Sequence, residues 1–125
     1  MRFFFILGAV LAAIAVTFGA FGAHGLRGRL SPQDLETFEV GVRYQMYHAL
    51  GLIIVSWAVA HWETGTAIAA GWFFVAGIVL FSGSLYVLVT TGPRWLGAIT
   101  PIGGVAFIVG WVLLAWAAFK GGLRT

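Results

Sequence analysis

The sequence predicts an all-α membrane protein, an antiparallel four-helix transmembrane bundle with a short interfacial amphipathic helix between helices 1 and 2. Three observations carry this. Hydrophobic residues make up 61% of the 125 and charged residues only 9%, against about 25% charged in a soluble domain. The charges are gathered in short zones, so that residues 3–23, 44–62, 64–93 and 95–119 contain no Asp, Glu, Lys or Arg. Each window is close to or above the roughly 20 apolar residues that cross a bilayer as a helix. None shows the period-2 alternation of a membrane strand, which needs segments of about 10 alternating residues.

A single membrane domain over residues 1–125 follows, with spans near 3–24, 44–62, 66–90 and 95–119. Arg2 ahead of an apolar stretch, with small residues in "GAFGA", also resembles a signal peptide. The uncharged stretch is longer than a signal core, so an uncleaved first helix is expected. That helix ends in "GAFGAHGLRGR", residues 19–29. Gly19, Gly22 and Gly25 recur every third residue with Ala23 among them, and small residues let a neighbouring backbone approach closely. These positions are expected to pack against another helix, with His24 reaching into the crowded region or capping the helix end.

Residues 25–43 hold most of the charge. In "SPQD", Ser31 suits the N-cap, Pro32 the first helical position and Asp34 the positive end of the dipole. Leu35, Phe38 and Val42 then share one face and Glu36, Glu39 and Arg43 another, which predicts an interfacial helix over 32–42 that bends into the second span near Gly41. Glu39 and Arg43 stand four apart in the order that favours an ion pair. The later connections, 63–65 and 91–94, are too short for soluble structure, so neighbouring helices are expected to be antiparallel. In the fourth span, "TPIGG" (100–104) predicts a kink at Pro101, with local unwinding at Gly103 and Gly104. Trp62, Trp95 and Trp116 fall near predicted helix ends, as an aromatic belt requires.

Polar residues within the spans are uneven in depth. At 1.5 Å per residue, His48 lies roughly 7 Å inside the second helix, Ser82 and Ser84 about 10 to 14 Å inside the third, and Thr100 about 9 Å inside the fourth. With His24, Gln45 and Tyr44, all four helices place hydrogen-bonding groups in the half of the bilayer that bears loops 1 and 3. Gln45 and His48 are three apart and can point inward together. His24, Gln45, His48, Ser82, Ser84 and Thr100 are therefore the candidate polar pocket, with Glu39, Arg43 and Tyr44 at its mouth. Two accounts stand side by side: interhelical hydrogen bonds, each worth about 0.6 kcal/mol, or a ligand or ion site of the kind that polar groups mark inside membranes.

The motifs "GAFGAHGL" (19–26), "YQMYHAL" (44–50), "LFSGSLY" (80–86) and "ITPIGG" (99–104) together resemble domain-of-unknown-function family 423. That family includes bacterial YgdD-type inner-membrane proteins and is related to the eukaryotic transmembrane protein 256. The motifs stand in the family's order and touch all four predicted helices. The resemblance implies a multi-pass bacterial inner-membrane protein and assigns no activity.

The residues point away from an enzyme. No nucleophile–base–acid set is recognisable, and Asp34, Glu36, Glu39 and Glu63 lie in predicted loops or at the surface. With no cysteine there is no thiolate site, and two histidines without a ligand-spacing motif predict no metal. No cofactor is expected. The net charge of +3 flanks helices and forms no patch, so no nucleic-acid partner is expected. The flanking basic residues, Arg27, Arg29, Arg43 and Arg94 against Arg2, Lys120 and Arg124, set no orientation. The first reading is a non-enzymatic accessory or lipid- or partner-interacting membrane protein, with the bilayer, a second copy or other membrane proteins as partners. The alternative is a small-solute or proton-linked transporter that works as a homo-oligomer through the polar pocket.

Overall fold

A computed structural model describes residues 2–62 and 65–121 and, for Ala23, the backbone alone. The predicted connection at Glu63, the flanking Arg124 and the packing role of the Ala23 side chain lie outside the described residues. Among those residues the chain forms four long helices: α1 (Arg2–Leu26), α2 (Pro32–His61), α3 (Gly65–Thr91) and α4 (Arg94–Gly121). No strand occurs among them, only an isolated bridge between Arg27 and Leu30.

Three of the four, α1, α3 and α4, are long and apolar enough to cross a membrane. The exception is α2, which carries Asp34, Glu36, Glu39 and Arg43 in its first half and Gln45, His48 and Ser56 further on. Its polarity goes with its position. Ten of its residues are buried, against three in the first sixteen of α1, and it packs mainly against α1 and α3.

The start of α2 follows the sequence. The Asp34 N–H donates to Ser31 Oγ at 3.0 Å, and Pro32 opens the helix where its missing N–H costs nothing. The separate interfacial helix is not found. Residues 32–42 are the first turns of one unbroken 30-residue helix, about 45 Å long. Phe38 explains the continuity: it is buried between Phe18 of α1 and Tyr86 of α3, with ring centroids 6.1 and 5.4 Å away. The packed core thus extends past the predicted bend, and Leu35, Phe38 and Val42 face neighbouring helices more than a lipid surface. The Glu39–Arg43 ion pair does not form either; both side chains are exposed and have no partner among the described residues, where such a pair is worth only tenths of a kcal/mol.

Glycine sets the register. A Cβ at Gly8 would meet the Ala49 carbonyl oxygen at 2.6 Å and one at Gly19 would meet Val42 at 3.3 Å, so α1 and α2 run in opposite directions. Gly51 against Phe74 and Gly41 against Tyr86 do the same for α2 and α3. Gly110 against Phe74 and Gly77 against Phe107 do it for α3 and α4. Phe4, Leu52, Val55, Phe74, Phe107 and Leu114 fill the space between. Of the small residues predicted to pack at the end of α1, Gly19 and Gly22 do face α2, where a Cβ on either would come within 3.3 Å of a side chain; Gly25 faces open space. The turns that follow α1 and α3 need Gly28 and Gly92, whose φ of 91° and 88° would strain any residue with a Cβ.

The fourth helix departs from expectation. Arg94–Ala98 is a 3₁₀ turn, and the α-helix proper begins at Thr100. Pro101 sits in its first turn, where N–H groups have no intrahelical partner, so the proline costs no bond there. Gly103 and Gly104 are regular helix and do not unwind. Gly103 instead lies against the α3 backbone, its Cβ position 2.8 Å from the Leu80 carbonyl carbon.

Candidate functional site: a polar layer beside a lateral groove

Five polar side chains are buried among the described residues, Gln45, His48, Ser56, Ser82 and Ser84, and four of them were candidates from the sequence. They do not share one pocket. Gln45, 3% exposed, donates from Nε2 to the Leu11 carbonyl at 2.8 Å and accepts from the Tyr86 hydroxyl at 2.7 Å. One amide thereby ties α2 to both α1 and α3. Ser82 donates to the Gly41 carbonyl at 2.6 Å, a second α2–α3 tie. Ser84 faces the other way, with Thr100 Oγ1 of α4 at 2.6 Å and the Phe81 carbonyl at 2.9 Å. Each hydroxyl has one proton; both short bonds form when Ser84 donates to Phe81 and Thr100 donates to Ser84. Two residues along a helix is a rotation of about 200°, so the two serines were bound to face different neighbours. Ser82 lies within the π-helical turn Ile78–Gly83 and Ser84 directly after it.

His48 makes the fourth tie. Its Nε2 lies 2.9 Å from Trp111 Nε1 of α4, and its Nδ1 lies 2.7 Å from the Tyr44 carbonyl. Indole N–H only donates and a carbonyl only accepts. Both bonds together therefore require a neutral ring with its proton on Nδ1. The ring stacks on Phe107, centroids 3.5 Å apart and planes 9° apart, and meets the edge of Phe74 at 5.4 Å. No buried side-chain nitrogen or oxygen among the described residues is left without a partner.

His24 is not part of this layer. It is exposed and its side chain makes no hydrogen bond or ring contact among the described residues, because Gly22, about 200° away around the helix, is the residue turned to Phe38. Nor do Glu39 and Arg43 form a mouth to the layer. With Gly19 and Val42 they border a small cleft of about 270 Å³ beside α1. Tyr44, about 100° further round α2 than Arg43, turns towards α3 and α4, its ring 4.7 Å from Phe81. There it helps line a groove of about 690 Å³ between α2 and α4, whose other walls include Tyr47, His48, Phe107, Ile108 and Trp111. No three His, Asp or Glu side chains come together among the described residues.

Sequence reading missed Tyr86 and Trp111, the partners that complete the Gln45 and His48 ties. Tyr86 closes the motif "LFSGSLY", and Trp111 stands out as a tryptophan far from any predicted helix end; both were visible signals.

Residues 18–104 match the model of a family described as "Protein of unknown function (DUF423)". The UPF0382 membrane protein YwdK of Bacillus subtilis (strain 168) is 52% identical over 121 residues, covering 96% of this chain and 98% of its own. UPF0382 membrane proteins of Staphylococcus aureus (strain bovine RF122 / ET3-1) and Staphylococcus haemolyticus (strain JCSC1435) are 51% and 50% identical over 120 residues, with the same coverage. The chain belongs to the DUF423 family. With relatives named membrane proteins and three helices able to cross a bilayer, this DUF423 protein is a membrane protein. The family match takes in Gln45, His48, Ser82, Ser84, Tyr86 and Thr100, and stops short of Leu11 and Trp111. No solved structure matches this DUF423 chain.

Proposed function

We propose that this protein is a non-enzymatic, multi-pass protein of the bacterial inner membrane that acts as an accessory or lipid- or partner-interacting factor. Its fold is read as an antiparallel four-helix transmembrane bundle, with α2 as the fourth span. The carrying observation is that every buried side-chain nitrogen and oxygen among the described residues has a partner within the protein, with Gln45, His48, Ser82 and Ser84 each tied to a neighbouring helix. A transport path needs groups free to exchange partners with an ion or solute. Here Gln45, Ser82, Ser84 and Thr100 bond to neighbouring helices, and both ring nitrogens of His48 are engaged. The polar layer is helix glue, worth about 0.6 kcal/mol per bond, and the outer apolar surface faces lipid and partner proteins.

The test is proton and small-cation flux into proteoliposomes loaded with a pH-sensitive dye, with the native protein and His48→Ala compared. Flux at the protein-free rate for both is the expected result. A protein-dependent proton flux that His48→Ala removes would sink the reading and favour the transporter.

A further inference from the structure

We propose that the groove between α2 and α4 holds one acyl chain of an anionic phospholipid, with the lipid phosphate at Arg43 and a hydrogen bond to it from Tyr47. The proposal rests on the lipid-facing reading above and names the lipid class and its seat.

Depth places the groove in the bilayer. Lys120, at the end of α4, and Trp62, just past α2, mark one boundary, since a Cβ at Gly121 would touch the Trp62 side chain at 3.0 Å. About 20 residues, or about 30 Å, takes the opposite boundary to about Thr100 on α4. The α2–α4 contacts Tyr44–Phe107 and His48–Trp111 carry that boundary across to about residue 40 of α2. The groove, lined on α4 from Pro101 to Trp111, therefore occupies the half of the hydrocarbon layer nearest that boundary. Only molecules of the bilayer reach it.

Its chemistry selects among them. The inner wall is rings and aliphatic side chains, and His48 and Trp111 spend their polar atoms on each other, so the wall offers no unpaired donor to a chain lying along it. The upper end is different. Tyr44 and Tyr47 are 39% and 52% exposed, and neither hydroxyl has a partner among the described residues. Arg43 stands one turn above Tyr47 and about 40° around α2 from it, between the groove and the cleft that it borders beside α1. It is exposed and has no partner among the described residues, and just inside the boundary an arginine extends its stem along apolar surface and lifts its charge to the headgroups. A neutral apolar ligand would leave that guanidinium without a counter-charge; a phosphate supplies one, in competition only with Glu39 a turn further out. The space itself comes from Gly104, where a Cβ would meet nothing nearer than Phe81 at 3.8 Å.

Delipidated protein, titrated with phosphatidylglycerol or with phosphatidylcholine of the same chains and read by native mass spectrometry, tests this. The expected result is one retained lipid per chain, with phosphatidylglycerol favoured about fivefold, the effect of one arginine at a lipid surface. Arg43→Gln should abolish the preference and keep the lipid. Gly104→Leu, which fills the groove from a position with room for it, should abolish retention with helix content and melting temperature unchanged. Val105→Trp, from an exposed position on the rim, serves the same purpose should Gly104→Leu fail to fold. Equal retention of the two lipids by the native protein, or undiminished retention in the filled variants, would overturn the proposal. So would a dimer mass in place of bound lipid, which gives the groove to a second copy. None of these outcomes bears on the flux assay, so the two readings fail separately.

Discussion

Replacing Gln45 by leucine separates glue from pocket most sharply. The side chain makes two interhelical bonds, to the Leu11 carbonyl and from the Tyr86 hydroxyl. At about 0.6 kcal/mol each, their loss costs about 1.2 kcal/mol. The two partners then fare differently. The Leu11 carbonyl keeps its own helical bond, whereas the Tyr86 hydroxyl loses its acceptor, which adds about 1 to 3 kcal/mol. Gln45→Leu is therefore expected to destabilise the protein by about 2 to 4 kcal/mol. In the double variant Gln45→Leu with Tyr86→Phe the orphaned hydroxyl is gone, and replacing both partners by apolar groups is nearly neutral for that bond. The double variant should be more stable than Gln45→Leu alone, by about 1 kcal/mol or more. Equilibrium unfolding in mixed micelles, followed by tryptophan fluorescence, measures all four proteins of the cycle. Additive effects, or a Gln45→Leu loss below about 0.5 kcal/mol, would refute the assignment of this amide as a three-helix tie.

Two further predictions use the same assay or its spectroscopic counterpart. Gly103→Ala sets a methyl against the α3 backbone and should cost about 1 to 3 kcal/mol of overpacking, whereas Gly25→Ala, facing open space, should be neutral or stabilise by up to about 1 kcal/mol; the reverse order would refute the register. The Trp111 indole N–H, bonded to His48, should exchange slowly by NMR in the native protein and rapidly in His48→Ala, with the His48 ring nitrogens showing a proton on Nδ1; a rapidly exchanging indole in the native protein would refute the tie.

The polar candidates were legible in depth and illegible in direction. Rise per residue places His24, His48, Ser82 and Thr100 in one half of the chain's long axis, and that half is where Gln45, His48, Ser82, Ser84 and Thr100 bond across helices. Depth alone does not say which neighbour a side chain meets. Ser82 turned to α2 and Ser84 to α4, and His24 turned outward, because azimuth depends on which helices lie on either side. The same limit hid the close-packing glycines. The every-third-residue pattern at Gly19, Gly22 and Gly25 drew attention, yet the tightest approaches are at Gly8, Gly71, Gly77, Gly103 and Gly110, each opposite a backbone or a phenylalanine supplied by another helix.

By itself the sequence determined that this chain is helical, apolar and suited to a membrane, and that α2 starts at Ser31–Pro32. These follow from local quantities: charge spacing against bilayer thickness, and a cap that bonds three residues on. Tertiary structure alone decided that α2 runs unbroken past Gly41, that Pro101 opens a helix it was expected to kink, and that the polar layer is tied shut beside an open groove. Each of those depends on a partner far along the chain: Phe18 and Tyr86 around Phe38, Leu80 behind Gly103, Trp111 on His48. Those partners are brought within reach only when four helices pack, and no short window of sequence contains both members of such a pair.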